Sequence, residues 1–211
     1  MLAASALPLF AAGSAVSTGT SAPPSTLGIY TLTPFQYDDP RVGFVNDVPS
    51  PLGGDVLFSS SMEVMTVGVE WGTWSHGYSG DVYAVDLQVL NVNSQYEVTL
   101  TLPPETGAFL FYAEPSFDGE FTISARLDDG TLLTQEVQGT QGAAGFGFLA
   151  PDGGSLSSIT VLSEIANIDF AIGEFSIART TALVPETGTT MAGIVAIGFA
   201  LAPILRRFRK K

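Results

Sequence analysis

Tyr96-Glu97-Val98-Thr99-Leu100-Thr101-Leu102 alternates without a break, setting Tyr96, Val98, Leu100 and Leu102 on one side of the backbone. Only an extended strand carries every second side chain on one face, so this stretch is a strand with one buried face. Phe121-Thr122-Ile123-Ser124-Ala125-Arg126-Leu127 repeats the pattern. Asp128-Asp129-Gly130 then turns the chain into residues 131–137, because an Asp-Gly step accepts the positive φ of a tight hairpin. Residues 109–112 are apolar on both sides, as in a central strand covered on both faces. Further strands are expected at 56–60, 63–71, 145–149, 156–163 and 172–178. Between residues 29 and 179, Gly and Pro recur every 8 to 15 residues and no segment sustains a helical period. About nine or ten short strands without helices predict an all-β fold, an antiparallel two-sheet sandwich over residues 29–180. Jelly-roll order is the expected topology, with an immunoglobulin-like order as the alternative. No internal repeat points to a propeller or solenoid.

The chain of 211 residues has a formal charge of −13, which understates the acidity of its larger part. Residues 1–183 hold 20 acids against Arg41, Arg126 and Arg179, a balance of −17, and no Lys precedes Lys210. Without a basic patch to displace phosphate counterions, nucleic acid is excluded as a partner. An acidic surface suits solubility outside the cell. With no Cys, disulfides, thiol catalysis and Cys-based metal sites are excluded. One His cannot fill a tetrahedral zinc site without mostly carboxylate help, so no zinc is expected. Calcium is the more plausible ion: Asp38, Asp39, Asp47, Asp118, Asp128, Asp129 and Asp152 fall in loops, although none follows the EF-hand pattern. No cofactor is expected. The glycines of 142–147 follow no strand-to-helix context and read as a loop, not a phosphate cradle.

The two ends differ from the middle. Residues 2–12 are apolar and Gly13-Ser14-Ala15 are small, the plan of a signal peptide over 1–15 whose basic n-region is missing. Residues 16–28 are rich in Ser, Thr, Pro and Gly and read as a flexible lead-in. At the other end, 181–211, Val184-Pro185-Glu186-Thr187-Gly188 is followed by 15 apolar residues, 191–205. Arg206, Arg207, Arg209, Lys210 and Lys211 come next. Pro185 fixes its own φ and pushes Val184 towards an extended conformation, which presents the motif as a strand that an enzyme cleft can grip. The apolar run spans about 22 Å as a helix against a hydrocarbon core of about 30 Å. Adding Thr189 and Thr190, with Arg206 and Arg207 snorkelling, brings a transmembrane helix over 189–205 within reach. The basic end stays cytoplasmic by the positive-inside rule, which leaves the residues before 184 outside.

Val184-Pro185-Glu186, a short apolar helix and a basic cluster resemble the PEP-CTERM signal that exosortases process in Gram-negative bacteria. That family's usual fourth residue is Pro, where this chain has Thr187. Leu183 to Gly188 is therefore also similar to the LPXTG signal of sortases, with Val184 in place of Leu. The apolar run starts without the spacer common in sortase substrates, which favours the exosortase reading. The resemblance implies a membrane-anchored precursor, an exosortase-type partner and release to the cell surface or matrix.

Chemistry-bearing residues crowd into Trp71-Gly72-Thr73-Trp74-Ser75-His76-Gly77-Tyr78-Ser79-Gly80-Asp81-Val82-Tyr83, which contains both tryptophans and the single histidine. Aromatic rings on a sandwich loop stack against apolar sugar faces while Asp and His fix hydroxyls, so Trp71, Trp74, His76, Tyr78, Asp81 and Tyr83 are the candidate glycan-binding residues. The alternative is structural: Trp71 and Trp74 plug one end of the sandwich and His76 bonds locally. Ser75, His76 and Ser79 raise a serine hydrolase, but neighbouring side chains of an extended chain point apart, which keeps Ser75 and His76 from sharing a proton. Residues 77–80 also lack the spacing of a nucleophile elbow. A glycoside hydrolase would need a carboxylate pair, and Glu114, beside Tyr112 and Phe117, is the least surface-like acid; Glu70 precedes Trp71.

The folded part is also similar to a group of exported proteins with PEP-CTERM tails. The residues that carry this are Pro34-Phe35, residues 49–54, residues 74–83, Phe111-Tyr112-Ala113-Glu114-Pro115 and Ile168-Asp169-Phe170 through Phe175. That resemblance implies export and a place in extracellular matrix or biofilm, and transfers no catalytic residue. The expectation is a non-enzymatic structural or adhesive surface protein that meets extracellular polysaccharide.

Overall fold

The computed structural model describes residues 12–36, 42–85, 96–152, 154–166 and 168–180. Most of the expected signal peptide and the whole of the tail, from the Val184–Gly188 motif through the apolar run to Arg206, Arg207, Arg209, Lys210 and Lys211, lie outside the described residues. Among those described, no helix is long and apolar enough to cross a membrane.

The described chain is all-β. In order it forms β1 (Ser14–Gly19), β2 (Thr26–Leu27), β3 (Tyr30–Thr31), β4 (Thr33–Pro34), β5 (Gly43–Pro49), β6 (Asp55–Thr66) and β7 (Asp81–Val85). Next come β8 (Glu97–Pro115), β9 (Glu120–Leu127), β10 (Leu132–Gln138), β11 (Ala144–Leu149), β12 (Leu156–Ser163) and β13 (Phe170–Arg179). Eleven of them join one antiparallel sheet whose main path is β10-β9-β12-β8-β13-β7-β6-β5. β11 attaches to β8, β1 to β11 and β4 to β13, while β2 and β3 make a separate small hairpin.

One continuous sheet thus stands where two were expected, and β8 is the reason. It runs for 19 residues and fuses the strands expected at 96–102 and 109–112. Its first part pairs with β12 and β6, its second with β11 and β13. Residues 102–105 have no ladder partner in either register, and Pro103 and Pro104 sit there. A missing N–H is costly inside a ladder and harmless where the strand exchanges one set of neighbours for another. β6 likewise unites the strand expected at 56–60 with part of that at 63–71, ending at Thr66. Both halves of β8 feed one core, in which Val98 and Leu100 share a cluster with Phe109, Phe111, Phe146, Phe148, Ile159 and Phe175. The sheet therefore folds over onto itself.

The second half of β8 is covered on both faces. Phe109, Phe111 and Ala113 enter the main core. Ala108, Leu110 and Tyr112, on the other face, pack with Leu27, Tyr30, Leu32, Trp71 and Trp74. Apolar residues on both sides of 109–112 thus correspond to two cores rather than one.

Residues 16–28, expected as a flexible lead-in, are tied to the sheet over much of their length. β1 pairs with β11 from Ser14 opposite Leu149 to Gly19 opposite Gly145. Gly13 donates its N–H to Asp129 at 2.7 Å, and Thr18 meets the Tyr112 hydroxyl at 3.0 Å. The hydroxyls and glycines that give this segment a linker's composition are what dock it. Gly145 permits the approach, since a Cβ there would lie 1.9 Å from Thr18 Oγ1 and 2.8 Å from the Tyr112 ring. The Asp128–Gly130 hairpin forms as expected: Gly130 has φ +91 and β9 pairs with β10 from Arg126 opposite Leu132.

Candidate functional site

Residues 67–80 link β6 to β7 and carry the aromatic cluster. Three amides, those of Val69, Glu70 and Trp71, converge on the Thr66 carbonyl at 3.1 to 3.2 Å, and Gly68 supplies φ +84. The turn throws Trp71 back across the sheet. Its indole N–H donates to Glu114 Oε2 at 2.8 Å. Glu114 Oε1 accepts from Thr73 Oγ1 at 3.2 Å and from the Gly142 N–H at 3.1 Å. Glu114 has no exposed surface. Burial pushes its carboxyl above the usual range, while the donors from Trp71, Gly142 and Thr73 pull the other way.

A second buried carboxylate mirrors the first. β13 bulges between Gly173 and Ser176, and Glu174 takes φ +53 there, which turns its side chain to the same face as Tyr112. Trp74 donates its indole N–H to Glu174 Oε2 at 3.2 Å. His76 Nε2 lies 2.8 Å from Oε1 and 3.0 Å from Oε2 of the same group. Burial again raises the Glu174 carboxyl, and His76, by hydrogen bond and by charge, opposes it. The His76 ring stands edge-on to Tyr112 at 5.2 Å. Tyr112 in turn donates to the Ser21 carbonyl, so the loop and the lead-in are fastened through one residue of β8.

Ser75 and His76 do meet, against the expectation from an extended chain. Ser75 Oγ lies 2.8 Å from His76 Nδ1, because His76 adopts φ +43 and the backbone is folded there. The result has the composition of a serine–histidine–carboxylate set. Ser75, however, is only 1% exposed, and His76 Nδ1 also approaches the Thr20 carbonyl at 3.2 Å. A hydroxyl so enclosed is placed to hold the loop rather than to attack a substrate.

Five of the six candidate glycan-binding residues gather around Glu174, and Trp71 stands apart on Glu114. Trp71 and Trp74 are 7% and 4% exposed, each with its indole N–H on a buried carboxylate. The apolar outer face of β8 and β13, with Ala108, Leu110, Ala171 and Ala178, takes up the two rings. Tyr78, Asp81 and Tyr83 border a crevice of about 10 Å³ together with Phe35, Glu174 and Phe175, room for about one water. Tyr78 donates to the Asp81 carbonyl at 2.8 Å, Asp81 accepts from Thr66 Oγ1 at 2.9 Å, and Tyr83 stacks on Phe175 at 5.5 Å. Glu174 was not anticipated; its signal was a lone acid within the apolar run 170–178.

A larger cleft, about 450 Å³, opens on the other side of Trp71. Glu70, Trp71, Thr73, Ser116, Asp118 and Asp169 are among the residues that line it. Among the described residues no three His, Cys, Asp or Glu side chains gather closely enough to hold a metal ion. Asp129 accepts from the Gly13 and Thr131 amides, which lower its carboxyl below the usual range, and Asp128 accepts from Ser157. These two aspartates cap turns, and Asp38 and Asp39 lie outside the described residues. Comparison with protein-family models and with characterised proteins finds no match.

Proposed function

We propose that this chain is an exported, non-enzymatic structural or adhesive protein of the cell surface or extracellular matrix, processed at its C-terminal sorting signal. The observation that carries this is the order Val184-Pro185-Glu186-Thr187-Gly188, apolar run, then Arg206, Arg207, Arg209, Lys210 and Lys211. The 183 residues in front of it hold no Lys and a balance of −17. A basic stop after an apolar segment holds the precursor in the inner membrane, and an exosortase-type enzyme acts on the motif. The ectodomain, which we read as a jelly-roll-like sandwich, then remains outside and meets extracellular polysaccharide. The buried pairs Trp71–Glu114 and Trp74–Glu174 support a structural role for the loop.

Thr187-Gly188 favours one second reading, transfer by a sortase to the cell wall. Fractionation of the native host, combined with protease shaving of intact cells, tests the export. Ectodomain in the matrix or shaved fraction is expected, and confinement to the cytoplasm would end the proposal.

A further inference from the structure

We infer that His76 is a proton-controlled latch that fastens the lead-in, β1 and the residues just after it, to the loop over the sheet. The inference does not depend on where the protein works. Four parts of the chain meet at this one ring. Nε2 lies 2.8 Å from Glu174 Oε1 on β13, and the ring stands edge-on to Tyr112 of β8. Nδ1 lies 2.8 Å from Ser75 Oγ of its own loop and 3.2 Å from the Thr20 carbonyl oxygen of the lead-in. The side chain keeps 14% of its surface exposed, which leaves the ring open to protons from solvent.

The two partners of Nδ1 make different demands. A carbonyl oxygen only accepts, whereas a hydroxyl donates or accepts. Neutral His76, with its Nε2–H on the Glu174 carboxylate, has a bare Nδ1 that takes the Ser75 proton and offers nothing to Thr20. The imidazolium carries a proton on both nitrogens and donates to Glu174 and Thr20 together. Its bond to Thr20 is then charge-assisted, and such bonds are roughly twice as strong as neutral ones. Protonation thus moves the bond at Nδ1 from the loop's own serine to the lead-in. Docking takes up the proton, so the lead-in is held most firmly in acid and loosens as pH rises through the imidazole titration.

The other fastenings of the lead-in keep their charge state over that range. Residues 14–28 carry no titratable side chain. Burial pushes the Tyr112 hydroxyl up, so it keeps its proton and goes on donating to the Ser21 carbonyl. Asp129, held low by the Gly13 and Thr131 amides, stays ionised and keeps its grip on Gly13. Glu174 is the charged group that faces His76 directly; burial raises its carboxyl, and His76 opposes the rise. Its protonation removes the imidazolium's counter-charge and sets the acid limit of the latch. Asp81 of β7 borders the same crevice as Glu174 and accepts from Thr66, while Glu114 of β8 is held by Trp71.

Hydrogen exchange of the full-length chain in detergent micelles tests the latch, followed by mass spectrometry from about pH 6 to about pH 8, across an ordinary imidazole titration. Rates are corrected for the intrinsic pH dependence of exchange, and the amides of β9 and β10 serve as the internal reference. Protection of the β1 amides is expected to fall about tenfold relative to that reference as pH rises, the size set by one hydrogen bond to a charged group. His76→Gln should abolish the pH dependence. Ser75→Ala removes the competitor for Nδ1 and should move the loss of protection to higher pH. The wild-type profile and Ser75→Ala decide the matter even if His76→Gln does not fold. Protection of β1 that is flat in pH or rises with it, a dependence retained in His76→Gln, or a transition unmoved in Ser75→Ala would overturn the latch.

Discussion

Trp71 places its indole N–H 2.8 Å from the Glu114 carboxylate, and Trp74 repeats the arrangement on Glu174 at 3.2 Å. Two tryptophans three residues apart are thus anchored to acids on neighbouring strands, β8 and β13. The loop they belong to is a lid over the outer face of the sheet.

Removing one anchor should be costly. Trp71→Phe keeps most of the ring volume and deletes the donor, which leaves a fully buried carboxylate short of a partner. Hydrogen bonds to charged groups contribute about 1.5–3 kcal/mol, and urea unfolding should show a loss of that order. Trp74→Ala should cost more, about 3–5 kcal/mol, through the cavity it leaves. Stability unchanged within about 0.5 kcal/mol in Trp71→Phe would mean that the contact does not hold the loop.

The same geometry sets a pH dependence. The Glu114 carboxyl in the folded protein titrates above the ordinary value of 4.5, because burial disfavours its charge. As pH rises from that ordinary value, the unfolded chain releases this proton first and the folded chain keeps it. Stability from this group is therefore full at acid pH and declines as pH climbs through the raised value. Glu114→Gln has no such titration. The stability difference, wild type minus Glu114→Gln, should fall with rising pH in urea titrations, and a difference that grows with pH would contradict the assignment. Asp129, held low by the Gly13 and Thr131 amides, works in the opposite sense in both proteins and cancels in the comparison.

Much of this fold could be read from the residues, and the exceptions have separate causes. The alternation at 96–102 and 121–127 and the Asp-Gly turn identify β8, β9 and β10, because period two and a positive φ are local properties. Pro103-Pro104 misleads: their cost depends on whether a ladder partner is present, which is a tertiary fact. Residues 16–28 mislead for the converse reason, since Ser, Thr and Gly look like a linker until a sheet edge accepts their hydrogen bonds. In the loop, composition marked Trp71, Trp74 and His76 as unusual but did not say whether the rings face solvent. Residues 109–112, apolar on both sides, held that information, for a strand buried twice needs something to cover its outer face. Glu114 was recognisable as the least surface-like acid. Its partner acid, Glu174, depends on a bulge that no local pattern announced.

Docking of the lead-in rests on one small residue. Gly145→Ala should push Thr18 and Tyr112 aside and loosen β1 from β11. Limited proteolysis should then cut within residues 14–25 at least about tenfold faster, as expected where a local opening becomes easier by about 1.4 kcal/mol. Cleavage at the wild-type rate would show that β1 accommodates the methyl group.

The central claim is that the tail is a processing signal. Mass spectrometry of the mature protein's C-terminus, taken from its native host, tests it directly. The account predicts a terminus at or near Pro185-Glu186-Thr187, with the apolar run and the basic residues gone. A mature protein that still carries Arg206 to Lys211 would contradict it.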